Sequence, residues 1–413
     1  MEEYSAEEDF DAYRVSKWLS PRRIAHAKDM TRVRLNQYTS GRRRQTLCWN
    51  ARHRLYEPYQ GGPGIPTLRW FGNFKGQELI VMDGIGPSIE ELFERRRHNV
   101  GPLSLALLAD QMLSRLEWMH SRHIIHGNLS PASFAIGNLS WQMPQLVLVD
   151  FATKTSISSS REDLEAVGNI ILYLSSQFKT WVDFQAQAKT AEVSFEPLRY
   201  YFDRISGGSL GPGDYGALRQ VFHRPCRFSS VTSFISNLAV PRANGPDLRC
   251  LATASTSDLF EILGSKLSAV GGKASIPMTP WKDENCSYLL RCLNDILAIY
   301  LILLVRDKPS RTGKVYLVEA YHLPNRLWRD LRWYLSTAHN GPITFRKAIV
   351  LNIYRFIGLM LDMVPIYNAY WTKYLAELSL DLLGLDLMPR EVWHSVLSHW
   401  QMRNEALDTA ILF

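Results

Sequence analysis

Three histidines stand at a regular spacing of three residues, at His120, His123 and His126. Imidazole nitrogens are common zinc ligands, and such a spacing can bring several of them to one side of the chain. A zinc site needs further ligands, however, and no carboxylate or cysteine completes a set around these three. We therefore expect no metal ion at the histidines.

The cysteines indicate a reducing compartment. The chain contains five of them, and none forms a C-x-x-C pair or a cluster with zinc spacing. An odd number of cysteines in a sequence without a secretory leader is typical of intracellular proteins. We expect the protein to lie in the cytoplasm or the nucleus.

Composition excludes some classes of partner. The net charge of +7 over 413 residues is mild, which suits contact with acidic protein partners but does not indicate nucleic acid. The most apolar stretch, residues 296–305, is about ten residues long and too short to cross a bilayer. We expect a protein partner, no nucleic acid and no membrane.

The elements that must position any site follow from hydrophobic spacing. Residues 79–82 read as a buried strand, and residues 145–149 as a second strand that ends in Asp150. Apolar residues at spacings of three and four predict helices from Pro102 to Met119 and over residues 164–174. Mixed strands followed by helices indicate an α+β body up to about residue 228.

The chain divides into four predicted parts. Residues 1–45 form a degenerate N-terminal segment, and residues 46–228 form the α+β domain. Glycine, proline and small polar residues predict a linker over residues 229–284. Residues 285–413 are rich in Leu, Trp and Tyr at helical spacing and predict a separate all-helical domain, whose tryptophans are expected in its core.

Several runs between residues 52 and 222 resemble the casein kinase I family. They lie in the same order as in that family: residues 60–70 (QGGPGIPTLRW), 81–83 (VMD), 86–93 (GPSIEELF), 108–112 (LADQM), 124–126 (IIH), 161–168 (REDLEAVG) and 214–222 (DYGALRQVF). The resemblance implies a protein-kinase-like bilobal fold of the α+β class, with a reduced N-lobe and the C-terminal all-helical region added to it.

The resemblance also implies roles for particular residues. Met82 and Asp83 would lie at the nucleotide hinge, while Ser133 and Asp150 would hold the cation, so that ATP and Mg²⁺ are the cofactors if nucleotide binding is retained. Asp150 is either a residual metal or nucleotide contact or an inherited, idle carboxylate. His126 and Asp163 would have structural roles, with Asp163 bonding the backbone of the catalytic loop.

The positions that carry phosphoryl transfer in that family are changed here. Asn128 replaces the catalytic base, and an amide cannot accept the substrate proton at neutral pH. Ser130 replaces the lysine that steadies the phosphoryl group, and Ser133 replaces the asparagine that binds the second magnesium. No glycine precedes Gly41, so a phosphate-binding glycine loop is missing, and the segment from Asp150 to Asp163 is much shorter than the family's activation segment.

These changes leave three hypotheses. The first is a casein-kinase-I-like pseudokinase that has lost phosphoryl transfer and acts as a protein-binding scaffold. The second is a divergent ATP-dependent serine/threonine protein kinase with residual activity, which would use Asp150 and an unorthodox lysine such as Lys154. The third is a wrongly predicted N-terminal exon of an active family member, because the resemblance begins only near Arg52.

Overall fold

A computed structural model describes the chain in segments. These are residues 15–19, 24–27, 33–38, 59–74, 77–83, 85–95, 100–137, 145–149, 159–176, 197–207, 214–223, 251, 253–274, 283–305, 320–385 and 390–411. For the strand residues between positions 15 and 38 and between positions 68 and 87, only the backbone is described, without the side chains.

Five of the described strands form one antiparallel sheet. Their order across the sheet is β1-β2-β3-β5-β4, and β3 pairs with β5 so that Arg34 lies opposite Met82 and Val33 opposite Asp83. The strands are β1 (Val15–Leu19), β2 (Ile24–Ala27), β3 (Val33–Tyr38), β4 (Leu68–Phe74) and β5 (Gln77–Asp83). The strand predicted over residues 79–82 is confirmed as part of β5.

The described residues between positions 85 and 223 form a small sheet and five helices. Strand β7 lies between β6 and β8 and is antiparallel to both. A short 3₁₀ turn at Pro131–Ser133 leads directly into β7. The strands are β6 (Ile85–Ser88), β7 (Phe134–Gly137) and β8 (Leu146–Leu148), and the helices are α1 (Ile89–Arg95), α2 (Pro102–His120), α3 (Ser160–Ser176), α4 (Pro197–Ser206) and α5 (Asp214–His223).

The remaining described residues form six helices. These are α6 (Thr256–Ala274), α7 (Asp283–Val305), α8 (Leu323–Thr337), α9 (Ile343–Met363), α10 (Asn368–Leu383) and α11 (Arg390–Ile411). A 3₁₀ turn at Pro365–Tyr367 joins α9 to α10. The described residues of 285–413 are mostly helical, as predicted, and Trp371, Trp393 and Trp400 are buried as core residues, whereas Trp333, also expected in the core, is exposed.

The predicted fold class is wrong. We expected an α+β, protein-kinase-like bilobal fold with a reduced N-lobe, but the part of the chain whose side chains are described is mostly helical, and its strands amount to the β7–β8 ribbon. The physical reason lies in the core. Helix α2 is buried almost all round and packs against α3, α5, β8 and α9, so that helices, rather than a sheet, supply most of the buried surface.

Part of the predicted linker is also helical. Within residues 229–284, helix α6 begins at Thr256, and Leu259, Leu263 and Val270 are fully buried. The side chain of Ser255 accepts the backbone N–H of Asp258, and Asp258 accepts the backbone N–H of Ser255, which forms a reciprocal cap at the start of the helix. The glycines and serines that suggested a linker therefore lie partly on a packed helix.

Helix α7 is longer than its apolar sequence indicated. The stretch predicted to be too short for a bilayer belongs to a helix that begins at Asp283, and Asn285–Val305 is long and apolar enough to cross a membrane by length and composition. Within this stretch, 78% of an apolar span of 18 residues is buried inside the protein. Burial of this kind is what the core helix of a helical bundle requires, and it supplies no evidence for a membrane.

Candidate functional site

The predicted site residues divide between described and undescribed parts of the chain. Met82 and Asp83 lie in β5, where their backbones pair with β3. His126, Asn128, Ser130 and Ser133 lie on the loop between α2 and β7, which we call the α2–β7 loop (residues 121–133). Asp150, like Lys154, lies outside the described residues.

Asp163, in the first turn of α3, holds the α2–β7 loop through its carboxylate. The Oδ2 atom accepts the backbone N–H of His126 at 2.8 Å, and the Oδ1 atom accepts that of Gly127 at 2.7 Å. Gly127 has φ +69°, a left-handed conformation that glycine adopts without a steric penalty. Because Asp163 is 1% exposed, these hydrogen bonds replace the water that its charge would otherwise need.

The same carboxylate binds a residue that the sequence did not single out for this role. The Nε2–H group of His120 donates to Asp163 Oδ2 at 2.9 Å, and His120 Nδ1 accepts the hydroxyl of Tyr215 from α5. Burial, together with the negative charges of Asp163 and Glu117, raises the pKa of Tyr215 well above its ordinary value, so the hydroxyl keeps its proton. His120 ends α2, and its distance of 43 residues from Asp163 hid this contact from sequence reasoning.

The serines of the α2–β7 loop cap a turn. Ser133 Oγ accepts the backbone N–H of Ser130 at 3.1 Å, and Ser130 O accepts the backbone N–H of Ser133 at 2.9 Å. The two hydroxyl oxygens lie 3.3 Å apart, and the carbonyl of Ser133 accepts the backbone N–H of Val149 at 2.8 Å. Ser133 is 1% exposed, so its hydroxyl is committed to the turn and faces the core rather than solvent.

The chemistry available at this loop is limited. Asn128 is exposed and its backbone N–H donates to His126 Nδ1 at 3.3 Å. Both ring nitrogens of His120 and both carboxylate oxygens of Asp163 have hydrogen-bond partners. A general base must have a lone pair within reach of a substrate proton. The carboxylate of Asp163 and the imidazole of His120 are instead occupied in joining this loop to α2, α3 and α5, while His123 of the same loop is exposed.

A second buried cluster joins the loop's supporting helix to the C-terminal helices. Arg115, on α2, is 0% exposed and donates from Nη1 to Asp362 Oδ2 on α9 at 2.5 Å. Its Nε and Nη2 atoms donate to the carbonyl of Leu146 at 3.0 and 2.8 Å. Gln111 accepts from both Arg115 Nη2 and the N–H of Leu146. The guanidinium therefore ties α2, β8 and α9 together.

Arg219 from α5 extends this cluster. It donates to Asp110 from Nε and Nη2 at 2.7 and 3.2 Å, to Glu117 at 3.4 Å and to Asp362 Oδ1 at 3.4 Å. Arg403 on α11 contacts Glu117 at 3.2 Å. Burial lowers the pKa of Arg219, but the charge of Asp110 and its hydrogen bond outweigh that effect and leave the pKa above its ordinary value.

The glycine-rich run at residues 60–66 is enclosed by these helices. Gly61 and Gly64 have φ values of +80° and +66°, and a Cβ atom on Gly64 would collide with Arg115 and with the carbonyl of Leu146. Tyr354 on α9 donates its hydroxyl to the carbonyl of Gly61 at 2.6 Å, and Trp400 on α11 donates to that hydroxyl at 2.8 Å. The run is therefore packed between α2, α9 and α11 and held by these contacts.

No family model matches the chain. The resemblance to casein kinase I thus stays a prediction made from the quoted motifs, and the roles of Met82, Asp83, Ser133 and Asp150 in binding nucleotide or cation stay predictions with it.

Proposed function

We propose that this chain is a non-catalytic, protein-binding scaffold, a pseudokinase in the sense that it resembles casein kinase I in sequence motifs while lacking phosphoryl transfer. The proposal rests mainly on the residues in and around the α2–β7 loop. Asn128 stands where a catalytic base would be needed, and the nearby carboxylate of Asp163 is consumed by two backbone N–H groups and by His120.

The way in which the helices join supports a scaffold rather than an enzyme with a movable lobe. Catalytic closure requires elements that can shift relative to each other on binding. Here helix α9 is joined to α2 by the buried ion pair between Arg115 and Asp362. It is joined to the glycine-rich run by the hydrogen bond from Tyr354 to Gly61. A rigid helical body of this kind presents surfaces of constant shape, which suits binding without turnover.

A turnover assay tests the proposal directly. The purified full chain is incubated with magnesium, radiolabelled ATP and an acidic serine-containing peptide, and the label on the peptide is counted. We expect no transfer above the level of a sample without the chain. Transfer that is abolished by Asp150→Ala would overturn the proposal and establish the divergent kinase instead.

Nucleotide binding is measured separately, by thermal unfolding with and without ATP and magnesium. A ligand that binds only the folded state raises the melting temperature, by an amount that grows with its concentration. We expect no shift at millimolar ATP. A shift that depends on magnesium and disappears in Asp150→Ala would make Asp150 a working cation ligand, and a scaffold that binds no nucleotide would then be excluded.

A further inference from the structure

A groove opens between the C-terminal end of α8, the first turns of α9 and the end of α10. It encloses about 200 Å³, less than the roughly 300–1,000 Å³ of clefts that bury a whole small molecule, so it suits one or two side chains of a larger partner. We call it the α8–α10 groove and define it by the lining residues that matter below: Arg332, Leu335, His339, Arg346, Ile349 and Asp381. It lies outside the residues that resemble casein kinase I.

The charges in the α8–α10 groove do not cancel. Arg332 donates from Nη1 to Asp381 at 2.6 Å, and this pair accounts for one positive and one negative charge. Arg346, which is half-buried on α9, has no side-chain hydrogen bond or ion pair with any residue in the described part of the chain. A guanidinium with five unused donors beside a neutralised pair leaves the groove positive and able to bind a carboxylate.

The floor of the groove is apolar. Leu335 is half-buried and supplies accessible aliphatic surface in the groove, whereas Ile349 is fully buried behind the lining. Ile343 precedes Arg346 by three residues, which places it on the same side of α9, and it is 49% exposed. Apolar surface therefore continues from the groove towards the rim.

We propose that the α8–α10 groove binds an acidic segment of a partner protein, with a carboxylate on Arg346 and an aliphatic or aromatic side chain on the floor. A nucleic acid fits less well, because its binding depends on many phosphate contacts, whereas this groove offers one unpaired arginine over an apolar surface. The inference rests on the proposed scaffold function and names the chemistry of its partner.

The test uses the full chain and a fluorescent synthetic peptide of the sequence Glu-Asp-Glu-Leu-Asp-Glu-Phe-Glu, with binding followed by fluorescence anisotropy. We expect Arg346→Glu to weaken the Kd at least about tenfold, because it replaces the attracting charge with a repelling one. Leu335→Ala should weaken it about threefold through the loss of apolar contact. Thermal melts and circular dichroism of each variant show whether it is folded, and Arg346→Gln provides a milder version of the first change.

Arg199→Glu is the matched control. Arg199 is exposed on α4, which does not line the groove, so the same change of charge should leave the Kd within about twofold. Equal binding by the unaltered chain and folded Arg346→Glu and Arg346→Gln variants would overturn the proposal. So would equal binding of a peptide in which serine replaces both the leucine and the phenylalanine.

The chain's own acidic N-terminal sequence provides a competing occupant. If the full-length variant Glu7→Gln, Glu8→Gln, Asp9→Asn bound the peptide about tenfold more tightly than the unaltered chain, this sequence would be the natural occupant and the partner proposal would be wrong. Failure of the peptide to bind refutes the groove alone. Phosphate transfer in the turnover assay refutes the scaffold function, so the two failures are distinguishable.

Discussion

The buried carboxylate of Asp362 connects three helices, and its replacement by asparagine has a calculable effect. In the folded chain it faces Arg115 at 2.5 Å and Arg219 at 3.4 Å, and it is 1% exposed. The ion pairs around it contain three arginines (Arg115, Arg219 and Arg403) and three carboxylates (Asp110, Glu117 and Asp362), so the cluster is neutral. Asp362→Asn leaves it with one uncompensated positive charge.

The size of the loss in folding free energy depends on which arginine is left with fewer acceptors. Arg219 keeps Asp110 and Glu117, whereas Arg115 keeps only neutral acceptors, the carbonyl of Leu146 and the amide of Gln111, among the contacts given by the structure. Removing one partner of a fully buried ion pair costs about 3–5 kcal/mol. At about 2 cal/mol/K of unfolding entropy per residue, this lowers the Tm of a chain of this size by roughly 4–6 °C if it unfolds as one unit.

Thermal and urea unfolding followed by circular dichroism measure this loss. Glu165→Gln is the control, because Glu165 pairs with Arg161 on the surface of α3, where both side chains are about half exposed, and such a pair contributes about 0.5 kcal/mol or less. The double variant Arg115→Met, Asp362→Leu should recover much of the loss, since no buried charge is then stranded at that pair. A loss below about 1 kcal/mol for Asp362→Asn would refute this account of the cluster.

Three further predictions concern the loop, the glycine-rich run and acid stability. Asp163→Ala should destabilise the chain by about 2–4 kcal/mol in urea unfolding, because the N–H groups of His126 and Gly127 and the imidazole of His120 lose their acceptor; unchanged stability would contradict the role given to Asp163. Gly64→Ala should lower the free energy of unfolding by more than about 2 kcal/mol, because the added Cβ atom would collide with Arg115. Gly264→Ala, in helix α6 with open space around it, should raise the free energy of unfolding by about 0.5–1 kcal/mol. Equal changes in Tm for the two variants would be inconsistent with the packing. Burial, with the charges of Arg122 and Arg403, lowers the pKa of His399 to about 3, so between pH 6.5 and 3 the unfolded chain binds a proton that the folded chain does not. The free energy of unfolding should therefore fall as the pH drops below 6.5, by at most about 1.4 kcal/mol per pH unit from this group. His399→Gln should flatten this pH dependence, as measured by urea unfolding.

Local patterns in the sequence predicted many of the elements. The helix from Pro102, the helix over residues 164–174 and the strands at residues 79–82 and 145–149 appear as α2, α3, β5 and β8, and the C-terminal residues form helices. These succeeded because hydrophobic spacing records which side of an element is buried. The fold class was wrong because spacing does not record how much of the core each element supplies, and helices supply most of it here.

The candidate site was foreseen only in part. The motif that singled out Asp163 gave no indication of His120 or Tyr215, since these three residues meet only when α2, α3 and α5 pack together. Likewise, Arg115 and Asp362 lie 247 residues apart and each occurs in an ordinary helical pattern. Contacts between helices that are distant in the chain leave no periodic signal in either helix.

The amino-acid sequence by itself determined the residue types on which the proposed function depends. If the resemblance to casein kinase I holds, Asn128 and Ser130 stand at the positions of the base and the lysine, where an amide and a hydroxyl lack the basicity and charge that phosphoryl transfer requires. Only the tertiary structure decided which polar groups are already satisfied and which remain available. It commits Asp163 and Ser133 to backbone hydrogen bonds and leaves Arg346 over an apolar floor, since the burial and the partners of a charge depend on chain segments brought together by folding.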